Sequence, residues 1–380
     1  MSPLMLPPGR VDTVLGVAAE QDQLPFPVPR MNPSEESGPS KPAPTSVLRT
    51  MNRWGATEIF DLYWIYAARR QAILMRRLAG DPPPWTSDPI LLRHRFTNPY
   101  RLSDRVSQYL LRQVQYDQRR APLVTVFRTL LFKVFNRIDT WTSLVSETGE
   151  PAPDLFDPAR LGQVLSRLRA QGRRIYSAAY IVPNPPYGAP AKHENHLRML
   201  QTMLDNGTMT NLAGASGLPE LFELLSRVPS LGPFLAFQYA VDINYSDVTT
   251  AGEDSFVVAG PGARSGLRKC FPALPAGREA EAIMWVTQTQ KVHFDRLGLK
   301  FDALAGRSLQ PVDCQNLFCE IDKYSRVSHP HVASGNGRRR IKQTFTTARS
   351  APVPQVFIPP KWQPKPAGHG TNGSRRDPDE

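Results

Sequence analysis

The sequence predicts an all-α fold, and three observations carry that reading. Apolar residues recur at three- and four-residue spacing in one segment after another, each opened by a capping side chain or a proline. Only IYSAAYIV (175–182) and SFVVA (255–259) have the β-branched and aromatic density of strands. No internal repeat of the kind that builds solenoids is present.

Residues 1–50 are expected to form a disordered, proline-rich tail. The stretch PFPVPRMNPSEESGPSKPAPTS offers too few aromatic and β-branched side chains to offset its ordering entropy by burial. Thr57 caps the first helix, in which Ile59, Tyr63, Tyr66 and Ile73 share a face, and Gly80-Asp81-Pro82-Pro83-Pro84 ends it. Ser103 caps a second helix, with Val106, Leu110 and Val114 inward. Pro122 occupies the first turn of a third, which carries Phe127, Leu130, Leu131 and Val134. Asp157-Pro158 starts a fourth, with Leu161, Leu165 and Leu168 in phase. Further helices are expected over Lys192–Leu204, Pro219–Arg227, Pro233–Ile243, Arg278–Gln290 and Cys314–Tyr324. Residues 332–380 read as a second disordered tail, basic and proline-rich, in which Arg338-Arg339-Arg340-Ile341-Lys342 suits a nuclear localisation signal or a DNA-clinging arm. The helical unit between the tails, 51–331, is long enough to bury most of its apolar surface around one core.

Charge supplies the first functional clue. The chain has 46 Lys+Arg against 34 Asp+Glu, a formal net charge of +12. Such an excess favours a polyanionic partner, above all nucleic acid. No apolar run reaches the roughly 18 residues of a transmembrane helix, and MSPLMLPPGR lacks the basic and apolar regions of a secretory leader. Three cysteines cannot form a disulfide framework, which fits a reducing compartment. The expected location is therefore nuclear in a eukaryote, and cytoplasmic or nucleoid otherwise.

Four segments combine residue types that could carry chemistry. In Val228-Pro229-Ser230-Leu231-Gly232-Pro233-Phe234, an apolar helix end, a glycine turn and a proline-started helix follow the layout of a helix-hairpin-helix. There backbone N–H groups face a DNA phosphate, and Gly232 lets the backbone approach closely. Ser230 stands where a second glycine is usual, so an ordinary helical corner fits as well. Next, Gly260, Gly262 and Gly266 lie beside Arg264, Arg268 and Lys269, an arrangement open to an anion-binding turn. Glu253 and Asp254 precede it; each is a candidate acid or a loop-ordering cap. In Asp313–Tyr324, the side chains of Gln315, Asn316, Glu320, Asp322 and Lys323 form either an internal polar network or a site lining. Finally, Arg95, Arg101 and Arg105 alternate with Phe96 and Tyr100. That pattern suits phosphate contact with base stacking, or a structural corner where Arg101 pairs with Asp104 and Trp85 packs. The cysteine and histidine spacings do not match a metal site, no cofactor motif is evident, and the Walker sequence G-x-x-x-x-G-K-[ST] is absent.

PPWTSDPIL, FTNPYRLSDRVSQ, TLLFKVFNRIDTWTSL, SLGPFLAFQYAVDINYS, EDSFVVAGPGARSGL and VDCQNLFCEIDKYSRVSHP occur here in one order. Together they resemble the helical domain of 5-hydroxymethyluracil DNA kinases, relatives of the α-glutamyl/putrescinyl-thymine pyrophosphorylases. The resemblance runs from about Arg53 to His331. It implies a fold similar to helix-hairpin-helix DNA glycosylases, acting in hypermodification of thymine-derived bases in DNA. It places Gly232 in a DNA-facing hairpin, Asp254 or its neighbour Glu253 as the active-site acid, and Gly260, Gly262 and Gly266 in a GPG-type loop. It puts Glu320, Asp322 and Lys323 in the closing CE-x-DKY element. DNA is the implied partner, with Arg95, Arg101, Arg105, Arg264 and Lys269 near its phosphates. A kinase of this kind needs a P-loop to bind ATP, so three arrangements stand side by side. The chain works with a separate P-loop kinase, or its glycosylase-like domain has its own chemistry, or it only reads modified DNA as a non-catalytic module. A base-excision glycosylase is a further alternative.

Overall fold

Proline and glycine set where many of the helices begin and end. The computed structural model describes residues 40–179, 182–332, 340–345 and 354–363. Along the chain follow α1 (Thr45–Trp54), α2 (Glu58–Ala79), α3 (Pro89–Arg93), α4 (Arg105–Tyr109), α5 (Pro122–Phe135), α6 (Ile138–Thr148) and α7 (Pro158–Ala170). Then come α8 (Lys192–Asp205), α9 (Thr208–Ala213), α10 (Leu218–Ser226), α11 (Pro233–Asn244), α12 (Pro261–Cys270), α13 (Glu279–Arg296) and α14 (Pro311–Ser328). The Thr57 hydroxyl accepts the Ile59 N–H at 3.3 Å, and Gly80 closes α2 in the left-handed conformation. Asp157 caps α7, accepting the N–H groups of Ala159 and Arg160. Proline opens or follows the first residue of α5, α7, α10, α11, α12 and α14, where its missing N–H costs no helical bond.

The helices pack into two lobes. One gathers α1, α2, α12, α13 and α14 around Trp54, Phe60, Tyr63, Trp64, Phe271 and Phe318. The other gathers α5 to α10 around Phe127, Leu131, Leu165, Leu200 and Leu221. Helix α11 belongs to both: Phe237 and Val241 enter the first core, and Leu235, Ala236, Tyr239, Ala240 and Ile243 the second. Its buried faces are thus almost all round, as its near-continuous apolar sequence requires.

The all-α class holds: the described residues contain no strand, and an isolated antiparallel bridge joins His94 and Thr344. SFVVA does bury alternate residues, Val257 and Ala259, but against helices rather than a partner strand. In the other strand-like stretch, the Ile175 carbonyl is taken by the Thr140 hydroxyl at 2.9 Å; Tyr180 and Ile181 lie outside the described residues. Ser103 is not a cap. It ends a 3-10 turn (Arg101–Ser103), and Asp104 holds the N-cap position of α4. Past α4 the helix widens into a π-turn (Leu110–Gln115), which aims Gln115 inward to donate to Thr129 Oγ1 and the Asp242 carbonyl.

The boundaries of the ordered unit also move. Helix α1 begins at Thr45, inside the expected N-terminal tail, and buries Val47 and Trp54. Beyond residue 331, Ile341, Phe345, Val356, Phe357, Ile358 and Trp362 pack against the first lobe. These scattered apolar residues among prolines carry no helical period, so composition alone read them as tail. Residues 1–39 and 364–380, and the Arg338-Arg339 half of the basic run, lie outside the described residues.

Candidate functional site

Between the lobes lies a cleft of about 1190 Å³. Its walls come from α2, the α3 region with the following turn, α4, α5, α11 and α14. Seven cationic side chains line it (Arg70, Arg77, Arg95, Arg101, Arg105, Lys133 and Lys323) against three carboxylates, Asp104, Asp242 and Glu320. Phe96, Phe132 and Phe234 supply aromatic surface, and Asn98, Gln238, Gln315 and Asn316 supply amides. Of the residues singled out from sequence, the structure brings Arg95, Arg101, Arg105, Glu320 and Lys323 to this one place.

The α14 wall shows how helical phase sorts the CE-x-DKY cluster. Glu320 and Lys323 are one turn apart, and their side chains meet at 3.3 Å. Glu320 Oε2 accepts the Thr97 N–H at 3.1 Å, while the Lys323 ammonium donates to the Arg95 carbonyl and sits 4.3 Å from the Phe96 ring centre. Burial lowers the Lys323 pKa, against the pull of Glu320. Asn316 donates to Thr97 Oγ1 at 3.0 Å, so α14 orders the 95–98 turn through three side chains. Asp322 lies off this face, outside the cleft lining. It accepts from the Ser265 hydroxyl at 2.8 Å and pairs with Lys269 at 3.2 Å and with Arg326. Burial raises its pKa, but Arg326, Ser265 and Lys269 outweigh that and hold it below the ordinary carboxylate value. Asp322 and Lys269 are therefore an internal ion pair between α14 and α12.

Deeper in the cleft, Arg101 is buried rather than offered to solvent. Its Nη1 lies 2.6 Å from Asp242 Oδ1, its Nε donates to Gln238 at 3.0 Å, and its backbone N–H donates to Asp313 at 2.7 Å. The pairing with Asp104 considered from sequence gives way to this one. Lys133 Nζ holds the other oxygen of Asp242 at 2.5 Å. Burial pushes the Asp242 carboxyl up, and the two cations overcome it and hold the carboxylate ionised. Asp104, three residues after Arg101, has less support. Burial pushes it up to about 6, against the Asn98 N–H and Arg70, which pull it down. Sequence reasoning missed Lys133 and Asp242 as site residues, although each is the one charge in an apolar run, TLLFKVF and FLAFQYAVDI. A charge in such a run stays only if it is paired.

The other expected residues lie elsewhere. Asp254 is exposed on the loop before α12 and does not line the cleft. Glu253 is buried and pairs with Arg307 at 3.1 Å; burial and nearby Asp313 push it up to about 8. Arg264 is exposed on α12, 4.0 Å from Glu279. The three glycines of the GPG segment prove to be packing positions. A Cβ on Gly260 would meet the Phe234 ring at 2.6 Å, one on Gly262 the Cys319 sulfur at 3.1 Å, and one on Gly266 the Phe318 carbonyl oxygen at 2.0 Å. They let α12 and the turn before it lie hard against α14 and α11. Gly232 differs, for it is exposed at the N-cap of α11 with nothing within 4 Å of such a Cβ. Two residues earlier, Ser230 takes φ 70°, the conformation a glycine would supply.

The described residues hold no cluster of three or more His, Cys, Asp and Glu that could bind a metal, and none of their helices is long and apolar enough to cross a membrane. A family model described as "5-hmdU DNA kinase, helical domain" matches residues 57–334. The chain belongs to this family. The 5-hmdU DNA kinase of Bacillus phage SP10 is 26% identical to it over 293 residues, covering 70% of this chain and 45% of that relative. The helical-domain chain thus spans less than half the length of the curated relative. No solved structure matches it. The matched span covers every helical wall of the cleft and both lobes except α1, and it ends before residues 340–345 and 354–363.

Proposed function

We propose that this helical domain binds DNA in the cleft and receives there a 5-substituted pyrimidine of the thymine/5-hydroxymethyluracil type. The observation that carries the reading is the cleft itself, with its excess of four cations among amides and aromatic faces. Cations on the wall hold phosphates, aromatic faces stack on a base, and amides address its edge. The volume exceeds that of an ordinary small-molecule pocket, which suits a nucleotide with part of its backbone. Reaching the base in a duplex requires turning it out of the stack. The name of the phage relative supports the substrate class. The α10–turn–α11 corner, with Ser230 left-handed and Gly232 open at the helix start, supports a second backbone contact of helix-hairpin-helix type.

For acid–base work in the cleft the carboxylate we favour is Asp104, which feels the charge of Glu320, because it lines the cleft with its pKa pushed up to about 6. Asp254, set on an exposed loop, would have to act on DNA outside it. Phosphoryl transfer needs a nucleotide cradle, and with no Walker sequence among these 380 residues we assign that step to a P-loop unit outside this helical domain.

The test is binding to duplexes that carry one 5-hydroxymethyluracil or a thymine at the same position. Binding should weaken steeply with salt, favour the modified duplex, and fall when Arg95 and Arg105 are both replaced by alanine. Absence of binding at low salt by the folded protein removes the DNA reading. In activity assays on the modified duplex with its partner enzyme, Asp104→Asn should be the damaging change; loss with Asp254→Asn alone would return the role to the loop.

A further inference from the structure

Residues 343–345 pair with residues 93–95 at the cleft, and residues 340–342 precede them on the same segment. The Arg95 N–H donates to the Gln343 carbonyl at 3.1 Å and the Phe345 N–H to the Arg93 carbonyl at 2.9 Å, on either side of the His94–Thr344 bridge. Gln343, Thr344 and Phe345 thereby become part of the cleft lining. Ile341 and Phe345 pack against the first lobe, which leaves Arg340 and Lys342 exposed on the same extended segment. Arg95, itself exposed, lies on the partner segment. Further along, residues 354–363 are fixed to the body of the protein. The Phe357 backbone exchanges two hydrogen bonds with the Gln108 side chain, at 2.7 and 3.1 Å. Lys361 donates to the carbonyls of Thr249, at 2.8 Å, and Asn244. The Trp362 ring centre is 4.3 Å from the Arg307 guanidinium. The pairing at 343–345 thus rests on main-chain bonds, and residues 354–363 have anchors of their own.

We propose that residues 340–345 form a basic rim on the cleft that grips the DNA backbone, with Arg340 and Lys342 as phosphate ligands beside Arg95. The inference rests on the reading of the cleft as a DNA site and adds to it a contact lying beyond the span that the family shares. Its chemistry is charge complementarity on an extended ribbon, which tracks one strand of a polyanion without reading its bases.

The experiment compares the full chain with an Arg340→Ala/Lys342→Ala double variant, using fluorescence anisotropy on a labelled duplex across a salt series. A thermal melt accompanies each protein. Both side chains are exposed, so the melt should not move. Each lost phosphate contact reduces the slope of log K against log salt by about 0.9, so the double variant should be shallower by about 1.8 and weaker at low salt. A Phe345→Pro variant, which loses the N–H given to Arg93, should weaken binding while keeping both cations. Double-variant binding equal to the parent's overturns the rim. Tighter binding also overturns it, showing that the segment covers the cleft instead. If the parent itself binds no DNA, the cleft reading fails; if Arg95→Ala/Arg105→Ala loses binding while the double variant keeps it, only the rim fails.

Discussion

Replacing Gly266 by alanine separates packing from phosphate binding in the GPG segment. The added Cβ would stand 2.0 Å from the Phe318 carbonyl oxygen and 2.8 Å from its carbon. Both are main-chain atoms of α14, so no side chain can swing away, and the two helices must part locally by about 1 Å or more. A radial gap of 0.5–1 Å already forfeits about a quarter to a half of each dispersion contact it opens. The seam that opens includes Ala263, Leu267, Leu317 and Ile321, all buried. Overpacking of a core costs about 1–3 kcal/mol when side chains can adjust. With main chain opposing main chain, the upper end of that range should be reached even after alanine's helix preference returns about 1 kcal/mol. For a chain of this size a loss of about 3 kcal/mol lowers Tm by about 4–5 °C. The assay is a calorimetric or circular-dichroism melt of Gly266→Ala beside Gly232→Ala. Gly232 has open space around it, so its variant should melt within about 1 °C of the parent. On the hairpin reading it should instead lose DNA affinity, because the methyl group occupies the phosphate's approach. A Gly266→Ala protein that melts like the parent but binds DNA poorly would refute the packing argument and restore the phosphate loop.

Ser230→Gly should raise stability by about 0.5–1 kcal/mol in a denaturant titration, since a left-handed φ of 70° strains any side chain; a loss would mean that the hydroxyl matters more than the backbone. Asp242→Asn leaves Arg101 and Lys133 facing each other without their shared anion, and should cost about 3–5 kcal/mol in the same titration. A cost under about 1 kcal/mol would show that the two cations find other partners. Glu253 should make stability fall with rising pH. Its pKa is raised from 4.5 to about 8 on folding, so between those values the native state holds a proton the unfolded chain has released. The favourable contribution is complete below pH 4.5 and is lost by about pH 8. Glu253→Gln should flatten the stability curve from pH 5 to 8, and a curve parallel to the parent's would rule out Glu253 as its source.

The fold was legible where periodicity and punctuation coincide. Thr57, Pro122 and Asp157-Pro158 mark helix starts in sequence and in structure alike. The site was legible in part. Arginine spacing around Arg95–Arg105 and the polar density of Gln315–Lys323 identified two walls of one cleft, but not that they face each other. Nothing local in the sequence tells whether a glycine faces a phosphate or a neighbouring carbonyl, and the difference between Gly232 and Gly266 lies wholly in what the rest of the chain brings near. The same limit applies to Lys269 and Asp322, which look like site residues by type and neutralise each other by placement. Residues 340–345 and 354–363 escaped because their anchors are single apolar side chains and main-chain bonds, and neither leaves a periodic trace.

One helix threading two cores constrains how the molecule can move. Where lobes are joined by a loop, they swing together over a ligand at little expense. Here α11 carries side chains locked into both packings, and the triad of Arg101, Asp242 and Lys133 ties it to its neighbours near its C-terminal end. Any change in the angle between the lobes must shear one of those interiors. On the DNA reading proposed for the cleft, the groove is set before the ligand arrives and the adjustment falls on the nucleic acid. A duplex would then have to bend or surrender a base to fit a mould that does not yield, so selection between sites would act first through how readily each sequence deforms.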